Sequence, residues 1–262
     1  MHEYINLKNL NKSLKGFYSK KPFPYAVIDN FFKTDIAHKL EKEFPDYNDK
    51  NLHEYKNYCE VKKTSNSWNL FPPLTYKIFS LLNSSKITDY IANKLRLTKV
   101  FPDYGLHGGG WHLMSHKGRL NPHLDYFIHP KASLQRKFNL IVFLSKGWKK
   151  NWGGETCFYY QNKNNNKVPG TISTKIYPKF NRAIFFDVSK NSWHGVLQPK
   201  KKVTRNSMAV YYLINPPKKD SSERKKALYA PTEKQKSNKK ILNFIKLRSS
   251  SKHFSKVYKF KK

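Results

Sequence analysis

Phe138-Asn139-Leu140-Ile141-Val142-Phe143-Leu144 is the stretch on which the fold turns. It is apolar and rich in β-branched and aromatic residues, which suit the pleated, half-buried surface of a strand. Its length is that of a strand, far short of the about 20 residues a membrane-spanning helix needs. Similar short runs flank it, at 111–114 and 123–128 before it and at 156–160, 171–177, 182–186, 192–196 and 207–214 after it. Gly, Pro and Asn separate these runs, most densely at 161–170, which reads as a surface loop. Many short strands at such spacing predict a mainly β core over 101–216, a jelly roll or similar double-sheet barrel.

Upstream the periodicity becomes helical. Ala26-Val27-Ile28 reads as a short strand after Pro22 and Pro24. Thr34 is predicted to cap a helix through its hydroxyl, with Ile36, Leu40 and Phe44 on one face and Pro45 as its stop. Leu74, Ile78, Leu81 and Leu82 after Pro72-Pro73 predict a second helix, and Ile87, Ile91 and Leu95 after Ser84-Ser85 a third. The expectation is therefore one domain over 1–216, with a helical front at 1–100 packing against the barrel. Residues 217–262 form a basic C-terminal extension, partly helical, because Ile241, Leu242 and Ile245 recur at helical spacing.

Composition narrows the function classes. The 262 residues suit about one large domain. Aromatics at 15% supply a core, and 11 Gly exclude a Gly-repeat architecture. Cys59 and Cys157 are too few and too far apart for a disulfide framework or a paired-cysteine zinc knuckle. The expected setting is thus reducing, intracellular and cytoplasmic, and neither a signal peptide nor a membrane span is read from the sequence. Lys and Arg number 51 against 17 Asp and Glu, a net charge of +34. That excess has two readings, an anionic partner or a chain-wide compositional bias, and charge totals do not separate them.

The chemistry is concentrated at His123-Leu124-Asp125. Residues two apart on a strand share a face, so an imidazole and a carboxylate project together into the barrel. This supplies two members of a 2-His-1-carboxylate triad, the set that holds non-haem Fe(II) with open positions. With 10 His and 17 acids in the chain, roughly 0.65 such pairs arise by chance, so the pair needs context. Trp193-His194-Gly195-Val196, on a later strand, places a second imidazole where it closes the set. Arg205-Asn206-Ser207 follows, and a guanidinium pairs with a carboxylate through two parallel hydrogen bonds.

In this order of residues the chain resembles the Fe(II)/2-oxoglutarate-dependent dioxygenases, on their prolyl-4-hydroxylase-like branch. The likeness also takes in the run from Pro22 to Asp29, Trp152-Gly153-Gly154-Glu155, and Ala227-Leu228-Tyr229-Ala230-Pro231. The resemblance implies a double-stranded β-helix, cupin-like, in which His123, Asp125 and His194 ligate Fe(II). It implies that 2-oxoglutarate chelates the metal and leaves one position for O2. The distal carboxylate then meets Arg205 and Ser207, with Asn139 as a further polar contact and ascorbate as reductant. Oxidative decarboxylation to succinate and CO2 would drive hydroxylation of an unactivated C–H bond, first of all in a prolyl residue of a peptide or protein. One departure is Met114, which stands near the position where many prolyl hydroxylases place a cosubstrate-binding Tyr.

Alternative readings remain open. The same scaffold hydroxylates sugars, lipids and other small metabolites, and a barrel without turnover would serve as a basic binding module. Nucleic-acid dealkylation is disfavoured, because the second Arg of those enzymes is replaced here by Tyr211. Trp111 and Trp193 are candidates to line a substrate pocket. His107-Gly108-Gly109-Gly110 reads as a turn rather than a lid, and His112, His116 and His129 as residues around the site rather than ligands.

Overall fold

The computed structural model describes residues 1–217 and 225–249. In chain order the elements are α1 (Leu7–Leu14), β1 (Tyr25–Ile28), α2 (Thr34–Lys42), β2 (His53–Lys56), β3 (Glu60–Ser65), α3 (Pro73–Leu82), α4 (Ser85–Leu95), β4 (Phe101–Pro102), β5 (Gly110–Met114) and β6 (Arg119–Leu124). They continue with β7 (Gln135–Phe143), β8 (Thr156–Gln161), β9 (Pro169–Ile176), β10 (Ala183–Asp187), β11 (His194–Val196), β12 (Arg205–Ile214), β13 (Leu228–Tyr229) and α5 (Lys239–Ser249). The parts of the expected C-terminal extension at 218–224 and 250–262 lie outside the described residues. Among the described residues no helix is long and apolar enough to cross a membrane.

The strands pair antiparallel in the order β1-β10-β7-β12-β5-β3-β6-β11-β8-β9, and β13 joins β6. Along this ladder β12 and β8 are five strands apart, about 24 Å in a flat sheet at roughly 4.8 Å per strand. Yet the Arg205 guanidinium on β12 donates to the Thr156 hydroxyl on β8 at 3.0 Å. The sheet therefore curls back on itself, which makes the predicted jelly-roll barrel.

Alternation along β7 shows how the two faces divide. Phe138, Leu140 and Val142 face outward into one large core with Leu40 of α2, Ile78, Phe79 and Leu82 of α3, and Ile87, Ile91 and Leu95 of α4. Each such side chain contributes about 1.5–3 kcal/mol on burial. Phe143, on the opposite face, packs with Phe23, Phe158, Ile184 and Phe186 inside the barrel. The interior is thus apolar at one end and polar at the other.

One expectation about the front is corrected, and two elements appear there that the sequence does not announce. Lys33, not Thr34, is the N-cap of α2, and no side chain caps it; Thr34 already lies within the helix. The Glu43 carboxylate beyond α2 instead caps α3, accepting from the Leu74 and Thr75 amides at 3.2 and 2.7 Å. Besides the strand expected at 26–28, the front contributes β3, which pairs with both β5 and β6 and is part of the barrel wall. An unexpected helix, α1, buries Leu10 and Leu14.

Candidate metal centre

His123 and His194 stand directly opposite one another on β6 and β11, so their side chains share one face. β6 ends at Leu124, and Asp125 continues its alternation one residue past the ladder. The three side chains are buried, and one potential ligand atom from each lies within 4.8 Å of the other two. His123 Nε2 is 3.6 Å from Asp125 Oδ1, and His194 Nε2 is 3.8 Å from Asp125 Oδ2. Among the described residues no other trio of His, Cys, Asp or Glu meets this condition.

The outer nitrogens assign the tautomers. His123 Nδ1 lies 3.0 Å from the Asn121 carbonyl, and His194 Nδ1 lies 2.8 Å from the Ser192 carbonyl. A carbonyl only accepts, so each Nδ1 carries a proton and each Nε2 is the atom that faces Asp125. Burial, and then the His123 charge, bring His194 down to about 4, so it is neutral near pH 7. Burial alone pushes the Asp125 carboxyl up. Contact with His123 and the charges of His194 and Arg136 outweigh that and hold it well below the usual carboxylate range. Two imidazole lone pairs and one carboxylate converging on one point are a donor set that fits a divalent first-row metal with open positions.

Arg205 is buried at 4% exposure. Its Nε donates to the Gly154 carbonyl at 2.9 Å and its Nη2 to Thr156 Oγ1, while Nη1 reaches Ser207 Oγ only at 3.5 Å. Gly154 holds φ +76°, and an added Cβ would lie 2.8 Å from the Trp148 ring, so the bend that aims this carbonyl at Arg205 favours glycine. Burial lowers Arg205 to about 10. Among the described residues no carboxylate pairs with it, and a buried cation with hydroxyl and carbonyl neighbours is suited to receive an anion. Met114 is its cross-strand neighbour on β5, as His112 is that of Ser207.

Asn139 is buried opposite Tyr211 on β12. Burial, and then the charge of the Asp125 carboxylate, push the Tyr211 hydroxyl well above its ordinary value, which sets this residue beside the donor trio. Sequence reasoning assigned Tyr211 no part in the site, although it shares a strand face with Arg205 and Ser207 by simple alternation. Thr156 also escaped that reading. So did Arg136, whose guanidinium is sandwiched 3.4 Å from the ring centres of both Tyr126 and Tyr211. No sequence signal separates Arg136 from the rest of the 51 Lys and Arg.

The two tryptophans lie elsewhere. Trp111 packs against Phe44 and Phe71 in the front core, on the face of β5 opposite to Met114. Trp193 packs with Leu124, Cys157 and Ala230 on the outside of the barrel wall. Neither lines the site. The turn at 107–110 is fixed rather than lid-like: a Cβ on Gly110 would lie 2.1 Å from the Ser65 carbonyl oxygen.

Residues 109–213 match the sequence model of the 2OG-Fe(II) oxygenase superfamily. No curated protein matches the chain by sequence. Among solved structures, a Pseudomonas putida prolyl-4-hydroxylase superposes with TM-score 0.57 at 13% identity, covering 79% of this chain and 100% of that one. A prolyl hydroxylase from Trichoplax adhaerens, solved with a peptide fragment of a hypoxia-inducible factor, gives 0.55 at 14% over 79% and 91%. HygX from Streptomyces hygroscopicus, with nickel, 2-oxoglutarate and hygromycin B bound, gives 0.51 at 10% over 77% and 86%. The superfamily works with Fe(II), 2-oxoglutarate and O2. The matched stretch contains the His-x-Asp pair, the distal His and the Arg, so residues 109–213 of this chain carry a 2OG-Fe(II) oxygenase domain, on a fold shared with prolyl-4-hydroxylases.

Proposed function

We propose that this dioxygenase hydroxylates a prolyl residue in a peptide or protein, with His123, Asp125 and His194 as the Fe(II) ligands. The observation that carries the ligand assignment is the pair of carbonyl-bound Nδ1 atoms, which leave both Nε2 atoms converging with the Asp125 carboxylate on one point. Arg205 receives the distal carboxylate of 2-oxoglutarate, with Thr156 and Ser207 beside it as hydroxyl groups. When bound, Fe(II) and 2-oxoglutarate supply oxidative decarboxylation to succinate and CO2 coupled to hydroxylation, and ascorbate serves to keep the iron ferrous. The chain's own part is to hold the His194 imidazole neutral, exclude water from the donor trio, and neutralise an incoming dicarboxylate.

The prolyl reading is supported by the fold shared with the Pseudomonas and Trichoplax hydroxylases, the second of which was solved with a peptide. A small-molecule substrate is the second reading, favoured by the likeness to HygX with its bound hygromycin B. Succinate release with Fe(II) and ascorbate across proline-containing peptides, free amino acids and glycosides tests both. Stimulation by proline peptides, lost when the proline is replaced by alanine, supports the first. Stimulation only by small molecules replaces it with the second.

A further inference from the structure

The family-matched region ends at residue 213, yet the chain returns to the site after it. β13 pairs with the strand that carries the His-x-Asp pair, with Tyr229 opposite His123 and Leu228 opposite Leu124. The Tyr229 ring lies over the His123 imidazole, with centroids 5.4 Å apart and planes 25° from parallel. On the other side of His123 stands the His194 ring, at 4.1 Å, and beyond it Phe186 at 4.9 Å. His123 is thus braced on both flanks, on one by the second imidazole and on the other by the returning tyrosine.

The same segment holds the outer nitrogen of His123. The Asn121 carbonyl accepts from Nδ1, and Asn121 is buried at 1% exposure. Its Nδ2 donates to the Ala230 carbonyl at 3.1 Å and to Gln235 Oε1 at 2.6 Å. The Ala230 amide donates to the Pro122 carbonyl at 2.8 Å. Gln235 is itself bound on three sides, accepting from the Thr232 amide and donating to the Tyr58 carbonyl at 2.8 Å. Behind Tyr229 the Arg248 guanidinium of α5 lies 5.3 Å from the ring centre and pairs with the buried Glu60 of β3.

We propose that residues 228–248 are a positioning element for His123, in which Tyr229 sets the plane of the imidazole and Gln235 clamps the Asn121 peptide that orients it. This rests on His123 being a metal ligand, as proposed above. Partners of this kind around a metal-binding histidine change metal affinity by about 10–100-fold when removed. Tyr229 is a positioning residue, not a catalytic one, since it touches the ligand and none of the reacting atoms.

The test is Co(II) binding to the full chain, read by titration and by the visible absorption of the bound ion, with melting temperatures taken on the metal-free proteins. Tyr229→Leu is expected to weaken Co(II) binding about tenfold or more and to change the absorption envelope. Tyr229→Phe keeps the ring and is expected to restore both. If Tyr229→Leu does not fold, Gln235→Met decides, since it keeps the bulk but releases Asn121 and is expected to weaken binding in the same direction. Wild-type affinity and spectrum in Tyr229→Leu, or in Gln235→Met if only that variant folds, would overturn the proposal. Failure of Tyr229→Phe to restore them would overturn the role of the ring. A His123→Ala variant separates the two ideas: if it binds Co(II) as tightly as wild type, the ligand assignment itself fails.

Discussion

Arg205 on β12 and Thr156 on β8 are joined by a 3.0 Å hydrogen bond although four strands lie between theirs along the ladder. This contact closes the polar end of the barrel and leaves a buried guanidinium with no carboxylate partner among the described residues. The role proposed for Arg205 is to receive a dicarboxylate there. Arg205→Ala is expected to weaken 2-oxoglutarate binding by about 2–5 kcal/mol, roughly 30- to several-thousand-fold. Lysine at this position should restore only part of it, lacking the planar fork. Titration of 2-oxoglutarate into the Mn(II)-loaded protein measures both, and unchanged affinity in Arg205→Ala removes the residue from the site.

Ser207 and Thr156 should differ. The Ser207 hydroxyl sits at 3.5 Å from Arg205, the limit of a hydrogen bond, whereas that of Thr156 sits at 3.0 Å. In the same titration Ser207→Ala is expected to cost under about 1 kcal/mol and Thr156→Val about 1–2 kcal/mol. The reverse order would mean that the guanidinium turns towards Ser207 when the cosubstrate binds.

Glu60 gives a pH signature for the docking of α5. It is buried at 2% exposure between Lys62 and Arg248. Burial alone raises its carboxyl, but the two cations outweigh that and hold it below the ordinary value. A depressed folded value means the contribution is full above the unfolded value of about 4.3 and is lost as pH falls through the folded value. Glu60→Gln should therefore cost about 1–3 kcal/mol at pH 7, and the gap to wild type should close below about pH 4. Melting of both proteins from pH 7 to pH 3 checks this; a gap constant over that range contradicts it.

Trp111 should matter to stability and not to turnover. It is 3% exposed, packs against Phe44 and edge-on to Phe71, and its indole nitrogen has no hydrogen-bond partner to lose. Trp111→Phe is expected to cost roughly 1–3 kcal/mol through the space it vacates, with KM for any substrate unchanged. A raised KM at an unchanged melting temperature would return Trp111 to the substrate pocket.

What the residues announced and what they concealed follow from the physics of each element. β5 and β7 to β12 are legible because their apolar and aromatic runs meet clear turn punctuation; the predicted 207–214 lies within Arg205–Ile214. The β2–β3 hairpin is not, since its strands are lysine-rich and mostly not buried, and β3 gains its place from pairing with β5 and β6. α1 is short, and its Leu7, Leu10 and Leu14 are diluted by Lys and Asn. Within the site, His123, Asp125, His194 and Arg205 stand out because their chemistry is specific and their order is diagnostic. Thr156 and Tyr211 do not, because their roles arise only when the curled sheet brings β8 and β12 together. Trp111 and Trp193 mislead for the opposite reason: a large aromatic on a strand identifies a buried face but not which of the two faces holds the chemistry.

The ligand assignment is tested most directly by anaerobic titration of Fe(II) and 2-oxoglutarate into the full chain, followed by visible absorption. Wild type is expected to bind one Fe(II) per chain and to develop a coloured complex only when both are present. His123→Ala, Asp125→Ala and His194→Ala, each folded by circular dichroism, are expected to develop none. A wild-type absorption band and affinity in any one of the three would contradict the metal centre proposed for this barrel.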